Sequence, residues 1–94
     1  MAGEKKSILV LARRDHTEAM RVAAGLTIFG HTVRLVFMTD VVAETEANAE
    51  QAELLELSDI VPETTVAAMG DQLALLSANE LGAALTAADH VVSI

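Results

Sequence analysis

Five polar side chains in this sequence are placed where a ligand or a reaction could use them. Four of them follow the first apolar segment: Arg13, Arg14, Asp15 and His16. The fifth, Asp40, comes after the second apolar segment. In a parallel α/β sheet, ligands bind in the crevice outside the carboxyl ends of the strands. A helix N-terminus with arginines beside it favours an anion. The pattern therefore predicts an anion or small-ligand site, and the alternative is a solvated turn or a contact between subunits.

Asp40 together with Asp15 or His16 offers a second kind of chemistry. Carboxylate oxygens bind hard cations, and a carboxylate beside an imidazole suits acid–base catalysis. The spacing is not diagnostic, because an Asp in this position more often caps a turn or a helix. His16, His31 and His90 are too far apart in the sequence for the ligand spacing of a zinc site. We therefore assign no catalytic residue, no metal and no cofactor.

The sequence contains no cysteine. Such a chain cannot form a disulfide, bind a metal through thiolates or use a thiol as a nucleophile. The absence of cysteine is compatible with a reducing compartment, and we expect the protein to be cytoplasmic.

Fourteen acidic side chains against six basic ones give a formal net charge of −8. This charge repels nucleic-acid phosphates and anionic lipid headgroups, and two phenylalanines provide few rings to stack on bases. The apolar run 8–12 is far shorter than the about 20 residues that cross a bilayer. We expect neither nucleic acid nor a membrane as a partner. The 52% hydrophobic content of so short a chain instead favours association with other subunits.

The elements that must position the candidate residues alternate between strand and helix. The continuous apolar run 7–12 predicts a first strand that is buried on both faces. Asp15 and Glu18 predict the start of a helix by reciprocal capping. Gly30 predicts its end, as a cap residue in the left-handed backbone conformation. The interior side of this helix is predicted from helical spacing: Ala19, Val22, Ala23, Leu26 and Phe29. The β-branched segment 32–38 follows as a second strand, so these elements form a right-handed βαβ unit.

A second helix and a third strand are predicted in the middle of the chain. The helix covers about 44–57, with three residues on its apolar side: Ala47, Leu54 and Leu55. The segment 64–69 predicts the third strand, which 72–76 could replace or extend.

The carboxyl-terminal part gives a clearer pattern. Ser77 and Glu80 have the spacing of a capping box directly before an apolar helical repeat, which predicts a third helix. The segment 89–94 closes the chain as a short strand. No linker or internal repeat divides the sequence, so we predict a single α/β domain over 1–94 with a polar tail at 1–6.

Several strings in the sequence resemble a known family. Within 23–40, a helix of small residues leads through 30–33 (Gly-His-Thr-Val) into an apolar strand that ends at Asp40. Near the carboxyl end, 76–81 (Leu-Ser-Ala-Asn-Glu-Leu) precedes a helix, and 88–91 (Ala-Asp-His-Val) follows it. These strings are similar to the first half, the closing helix and the final strand of DsrE/DsrF/DsrH-like proteins. The resemblance covers most of the chain.

The resemblance has consequences for both fold and function. It implies a three-layer α/β/α fold with a mostly parallel sheet of four to five strands, which the order of elements also predicts. It further implies assembly into trimers or hexamers. Members of the family take part in sulfur relay, in which persulfide sulfur passes between protein thiols.

The sequence departs from the active members at one position. Those members carry a cysteine just after the third strand, where this chain has Ala68, Met69 and Gly70. A persulfide forms only on a thiolate sulfur, so the thioether of Met69 cannot replace that cysteine.

We therefore predict a non-catalytic oligomeric DsrE-like protein that serves as an accessory or binding subunit in intracellular sulfur transfer. Its partners would be further copies of itself or a cysteine-bearing relative. The alternative is a small-molecule or anion-binding protein, or a weak enzyme, that uses the crevice at the carboxyl ends of the first two strands.

Overall fold

The computed structural model describes residues 6–94, which form a five-stranded sheet and three α-helices. In chain order, the elements are β1 (Ser7–Ala12), α1 (His16–Ile28), β2 (Thr32–Phe37), α2 (Glu46–Leu57), β3 (Glu63–Thr64), a 3-10 helix (Ala67–Met69), β4 (Ala74–Leu75), α3 (Ala78–Ala87) and β5 (His90–Ser93). None of the helices within 6–94 is both long and apolar enough to cross a membrane.

The strands are arranged in the order β4-β3-β2-β1-β5, and neighbouring strands are parallel. β1 pairs with β2 along its whole length, from Ser7 opposite Thr32 to Ala12 opposite Phe37. Its other edge pairs with β5, where Ile8 lies opposite His90. The continuous apolar run thus occupies an interior position of the sheet, as its sequence predicts.

Helices cover both faces of the sheet. Ile8 and Val10 of β1 pack in one apolar cluster with the buried residues of α1 and with Leu55 of α2. Leu9 points to the opposite face and belongs to a second cluster, which contains Ala84 of α3. The predicted three-layer α/β/α fold is confirmed. The sheet has five strands, within the predicted range of four to five.

The two ends of α1 differ in how well the sequence predicts them. Asp15 is the N-cap, and its carboxylate accepts a hydrogen bond from the Glu18 main-chain N–H at 3.0 Å. The Glu18 carboxylate does not return to the cap but pairs with Arg21 one turn later. That ion pair holds the pKa of Glu18 below its usual value, mainly through the hydrogen bond from Arg21. The predicted reciprocal capping at this helix start is therefore only half correct.

Gly30 ends α1 as predicted. Its φ of +91° lies in the left-handed region, which costs a glycine nothing. The Gly30 N–H donates to the Thr27 carbonyl at 2.9 Å, and the His31 N–H donates to the Leu26 carbonyl at 3.3 Å. These two bonds form the Schellman arrangement, which satisfies carbonyls that the helix itself leaves free.

The residues that α1 and α2 bury differ in part from those that the sequence predicts. Phe29 is 79% exposed, because the helix ends before its side chain can reach the sheet, and Met20 and Ala24 are buried instead. In α2, Leu55 is buried as predicted, whereas Leu54 is 41% exposed and Ala47 is exposed. Asn48, seven residues before Leu55 and thus on the same side of the helix, occupies the interior position.

The predicted third strand is much shorter in the structure. β3 contains only Glu63 and Thr64, and the chain then enters the 3-10 helix. The buried Thr64 hydroxyl explains this ending, because it accepts from the Val66 N–H at 2.9 Å and donates to the Phe37 carbonyl at 3.0 Å. A side chain that bonds to the main chain two residues later turns the chain out of the sheet. Within the alternative segment 72–76, Ala74 and Leu75 form the separate strand β4.

The start of α3 agrees with the predicted capping box. The Ser77 hydroxyl accepts from the Glu80 N–H at 3.1 Å, and the Glu80 carboxylate accepts from the Ser77 N–H at 2.9 Å. These hydrogen bonds hold the pKa of Glu80 below its usual value, the bond from the Ser77 main chain contributing most.

Replacing the capping hydroxyl tests how much this helix start contributes to stability. Ser77→Ala leaves the Glu80 N–H without its acceptor, and we expect the free energy of unfolding to fall by about 1 kcal/mol. Urea unfolding followed by circular dichroism measures the change. The control is Ser58→Ala at the end of α2, where main-chain N–H groups make the capping bonds; we expect less than about 0.5 kcal/mol there. Equal losses in the two variants would contradict the role of the cap.

Candidate functional site

A shallow crevice lies at the carboxyl ends of β1 and β2. Its volume is about 370 Å³, and eight residues line it: Arg14, Asp15, His16, Thr17, Asp40, Val41, Ala43 and Asn48. Four of the five predicted site residues are therefore brought together, the first three by the β1–α1 turn and Asp40 by the turn after β2.

Arg13 is the predicted site residue that lies elsewhere. Its guanidinium Nη1 is 3.5 Å from the Ser93 hydroxyl at the end of β5. The main-chain N–H groups of Arg13 and Arg14 both donate to the main-chain oxygen of Ile94, each at 2.8 Å. The main chain of the β1–α1 turn is thus tied to Ile94, the residue after β5, and of the two arginines it is Arg14 that lines the crevice.

The topology explains why the two arginines separate. The helices that follow β1 and β2 lie on one face of the sheet, whereas α3, which leads to β5, lies on the other face. The direction of the connections therefore changes between β1 and β5, which is where ligands of open parallel sheets usually bind. Arg13 and Ser93 occupy that position, and the crevice lies on the opposite side of β1, next to β2.

His16 is held in place by the end of β2. Its Nε2 lies 3.1 Å from the Met38 carbonyl oxygen, and because a carbonyl only accepts, Nε2 carries the hydrogen. Its ring also meets the Phe37 ring edge to face, with 5.4 Å between the ring centres. Nδ1 can then accept a hydrogen bond from a ligand. These contacts make His16 part of the packing between α1 and β2 as well as part of the crevice wall.

The turn that carries Asp40 is strained. Thr39 has a φ of +76°, and the Asp40 N–H donates to the Met38 carbonyl at 2.9 Å. This three-residue turn with positive φ is rare, and a β-branched residue is especially unfavourable in it. The same Met38 carbonyl accepts from His16, so it joins the two sides of the crevice.

Asn48 is the important crevice residue that was not predicted. It is nearly buried, its Nδ2 donates to the Ala43 carbonyl at 2.8 Å, and its Oδ1 accepts from the Thr17 hydroxyl. It therefore connects α2 to the first turn of α1 and to the loop after β2. The available signal in the sequence was an asparagine at helical spacing from the apolar Leu55.

The side chains of the crevice define a small polar site. Two acidic residues, Asp15 and Asp40, line the crevice together with one arginine, Arg14, so a multiply charged anion is disfavoured. Asp15 also uses one oxygen to cap α1. Within residues 6–94, no group of three or more His, Cys, Asp or Glu side chains is placed to hold a metal ion. The arrangement suits a small molecule with both donors and acceptors.

The segment in which the resemblance predicts a cysteine lies a few residues after β3. Met69 belongs to the 3-10 helix and is buried, whereas Ala68 and Gly70 are exposed. The Met69 sulfur lies 3.9 Å from the Thr64 hydroxyl, so it packs in the core. This segment contributes to packing and lies outside the crevice.

No family model matches this chain, and neither a curated protein nor a solved structure does so. The resemblance to DsrE/DsrF/DsrH-like proteins therefore stays a prediction from the residues described above.

The strain in the Asp40 turn can be measured directly. Thr39→Gly should raise the free energy of unfolding by about 1 kcal/mol, because the strain of about 1–3 kcal/mol exceeds the entropic cost of glycine, about 0.5–1 kcal/mol. The control is Asp59→Gly, since Asp59 also has a positive φ, 59°, but aspartate tolerates it better. Thermal and urea unfolding measure both variants. A loss of stability in Thr39→Gly would show that the turn is not strained.

Proposed function

We propose that this chain is a non-catalytic, self-associating protein of DsrE-like type, which acts by presenting a surface to other subunits. The proposal rests mainly on the amount of apolar surface that a single copy leaves in water. Among residues 6–94, nine large hydrophobic residues are exposed: Ile28, Phe29, Val41, Leu54, Leu57, Val61, Leu75, Leu85 and Val91. Exposed apolar side chains in contiguous patches are typical of protein interfaces.

The most exposed of these residues share one end of the molecule. Ile28, Phe29, Leu57 and Val61 are each between 78% and 83% exposed. They lie at or just after the carboxyl ends of α1 and α2, and both helices return the chain to the start of the next parallel strand. The four residues therefore lie near the amino-terminal ends of the strands, at the end of the sheet opposite the crevice. We call this group the apolar rim.

The proposed place in sulfur transfer follows from the resemblance and from the missing cysteine. A chain without a thiol cannot carry persulfide sulfur, so a partner with a cysteine would have to do so. In this proposal, copies of the chain form trimers or hexamers, or assemble with a cysteine-bearing relative. The chain would position that relative without making or breaking a bond itself.

The proposal predicts an oligomer that depends on the apolar rim. Size-exclusion chromatography with light scattering should give a mass above that of a monomer at micromolar concentration. Phe29→Lys combined with Leu57→Lys should shift the mass to that of a monomer, because burying two lysines in an apolar interface is costly. Lysine at a helix C-terminus is compatible with folding, since it interacts favourably with the helix dipole.

The control for this experiment is Val41→Lys. Val41 is an exposed apolar residue that lines the crevice, at the opposite end of the strands from the apolar rim. Its mass should equal that of the unmodified protein. A strictly monomeric unmodified protein at micromolar concentration would overturn the proposal.

A second candidate function is binding of a small polar molecule in the crevice. The observation that favours it is the convergence of Arg14, Asp15, His16 and Asp40 from two separate turns. The strained Thr39 beside Asp40 is consistent with it, because backbone strain concentrates at binding sites.

Thermal unfolding in the presence of small carboxylates, amino acids, nucleotides and inorganic phosphate tests this candidate, because a ligand that binds only the folded state raises the melting temperature. Arg14→Ala should abolish any rise seen with the unmodified protein. Arg13→Ala is the matched control and should retain it, since the Arg13 guanidinium lies against Ser93. If no compound changes the melting temperature, the crevice is not a binding site for these classes.

A further inference from the structure

A second cavity lies between the helical layer and the sheet, on the other side of Asn48 from the crevice. Its volume is about 260 Å³, and most of the residues that line it are apolar. α1, β2, α2 and the 3-10 helix all contribute to its wall. It shares only Asn48 with the crevice, so it is a separate site.

The inner wall of this cavity is part of the hydrophobic core. Five of its residues are buried and belong to the larger apolar cluster: Met20, Phe37, Leu55, Ile60 and Met69. An apolar wall of this kind gives water few hydrogen-bonding partners, so an apolar molecule that enters displaces weakly held water. The two methionine side chains can adjust to the shape of an occupant because they are unbranched and flexible.

The mouth of the cavity is formed by exposed residues. Ala52 and Glu56 lie one turn apart on α2, and Gln72 lies across from them after the 3-10 helix. The small Ala52 side chain leaves the entrance open. Glu56 is the one charged residue among those that line the cavity, so a carboxylate ligand would meet a like charge there. The Gln72 amide offers a donor and an acceptor for one polar group.

We propose that this cavity binds a compact, uncharged aromatic molecule with one or two rings, whose single polar group stays at the mouth. The size supports this class, because an engineered cavity of about 150 Å³ holds benzene, and a larger one accommodates a fused second ring. The apolar wall selects the rings, and Glu56 selects against an acidic analogue. Most drug-sized ligands and anionic lipids are excluded by size or charge.

Indole is a suitable probe, and the methionine methyl groups report where it binds. Met20 and Met69 line the cavity, whereas Met38 packs against the cluster on the opposite face of the sheet. In a titration followed by ¹³C-methyl NMR, the Met20 and Met69 signals should shift together and saturate, with a Kd of about 1 mM or tighter. The Met38 signal should stay in place.

Two variants in which an exposed alanine is replaced by leucine test where indole binds without disturbing the core. Ala52→Leu places a larger side chain in the mouth at an exposed helical position and should weaken indole binding about tenfold or more. Ala49→Leu makes the same change one turn earlier on α2, at an exposed residue outside the cavity, and should bind indole as the unmodified protein does. Leucine is a good helix former, so both variants should fold.

The charge argument is tested with indole-3-acetate, which should bind at least about tenfold more weakly than indole. Glu56→Gln should reduce that difference. The proposal is overturned if indole produces no saturable shift, if Met38 moves as much as Met20 and Met69, or if Ala52→Leu and Ala49→Leu bind indole equally well. Each result is independent of whether the protein assembles through the apolar rim.

Discussion

Leu9 and Val10 are neighbours in β1 whose side chains point to opposite faces of the sheet, and both are almost fully buried. A strand with two apolar faces is stable only if other elements cover each of them, which in parallel sheets is done by helices. α1 and α2 cover one face, and α3 covers the other. The order of the strands and the position of β5 beside β1 both satisfy this requirement.

The same constraint places the polar residues. Because all strands are parallel, the turns after β1 and β2 and the carboxyl end of β5 lie at one end of the sheet, and the carboxyl ends of α1 and α2 lie at the other. The polar residues of the crevice lie at the first end, and the four residues of the apolar rim lie at the second. Asn48 lines both the crevice and the apolar cavity, and hydrogen bonds to Thr17 and to the Ala43 carbonyl hold its side chain.

Local patterns in the sequence predicted those features that depend on local physics. The apolar run of β1, the glycine after α1 and the Ser77 capping box each act within a few residues, and each is confirmed. The errors arise where distant parts of the chain compete. The Thr64 hydroxyl that turns the chain at Val66 is also bonded to Phe37, which lies 27 residues away, and the Arg13 side chain turns to Ser93, 80 residues away. Spacing alone predicts neither contact.

The short β3 has a consequence for the outer edges of the sheet. Since Thr64 ends that strand after two residues, β4 can pair over only two residues as well, and it offers few free main-chain groups to another chain. β5, with four residues, is the longer of the two outer strands. Addition of a strand from another chain is therefore disfavoured beside β4, and such a strand would pair with β5 instead.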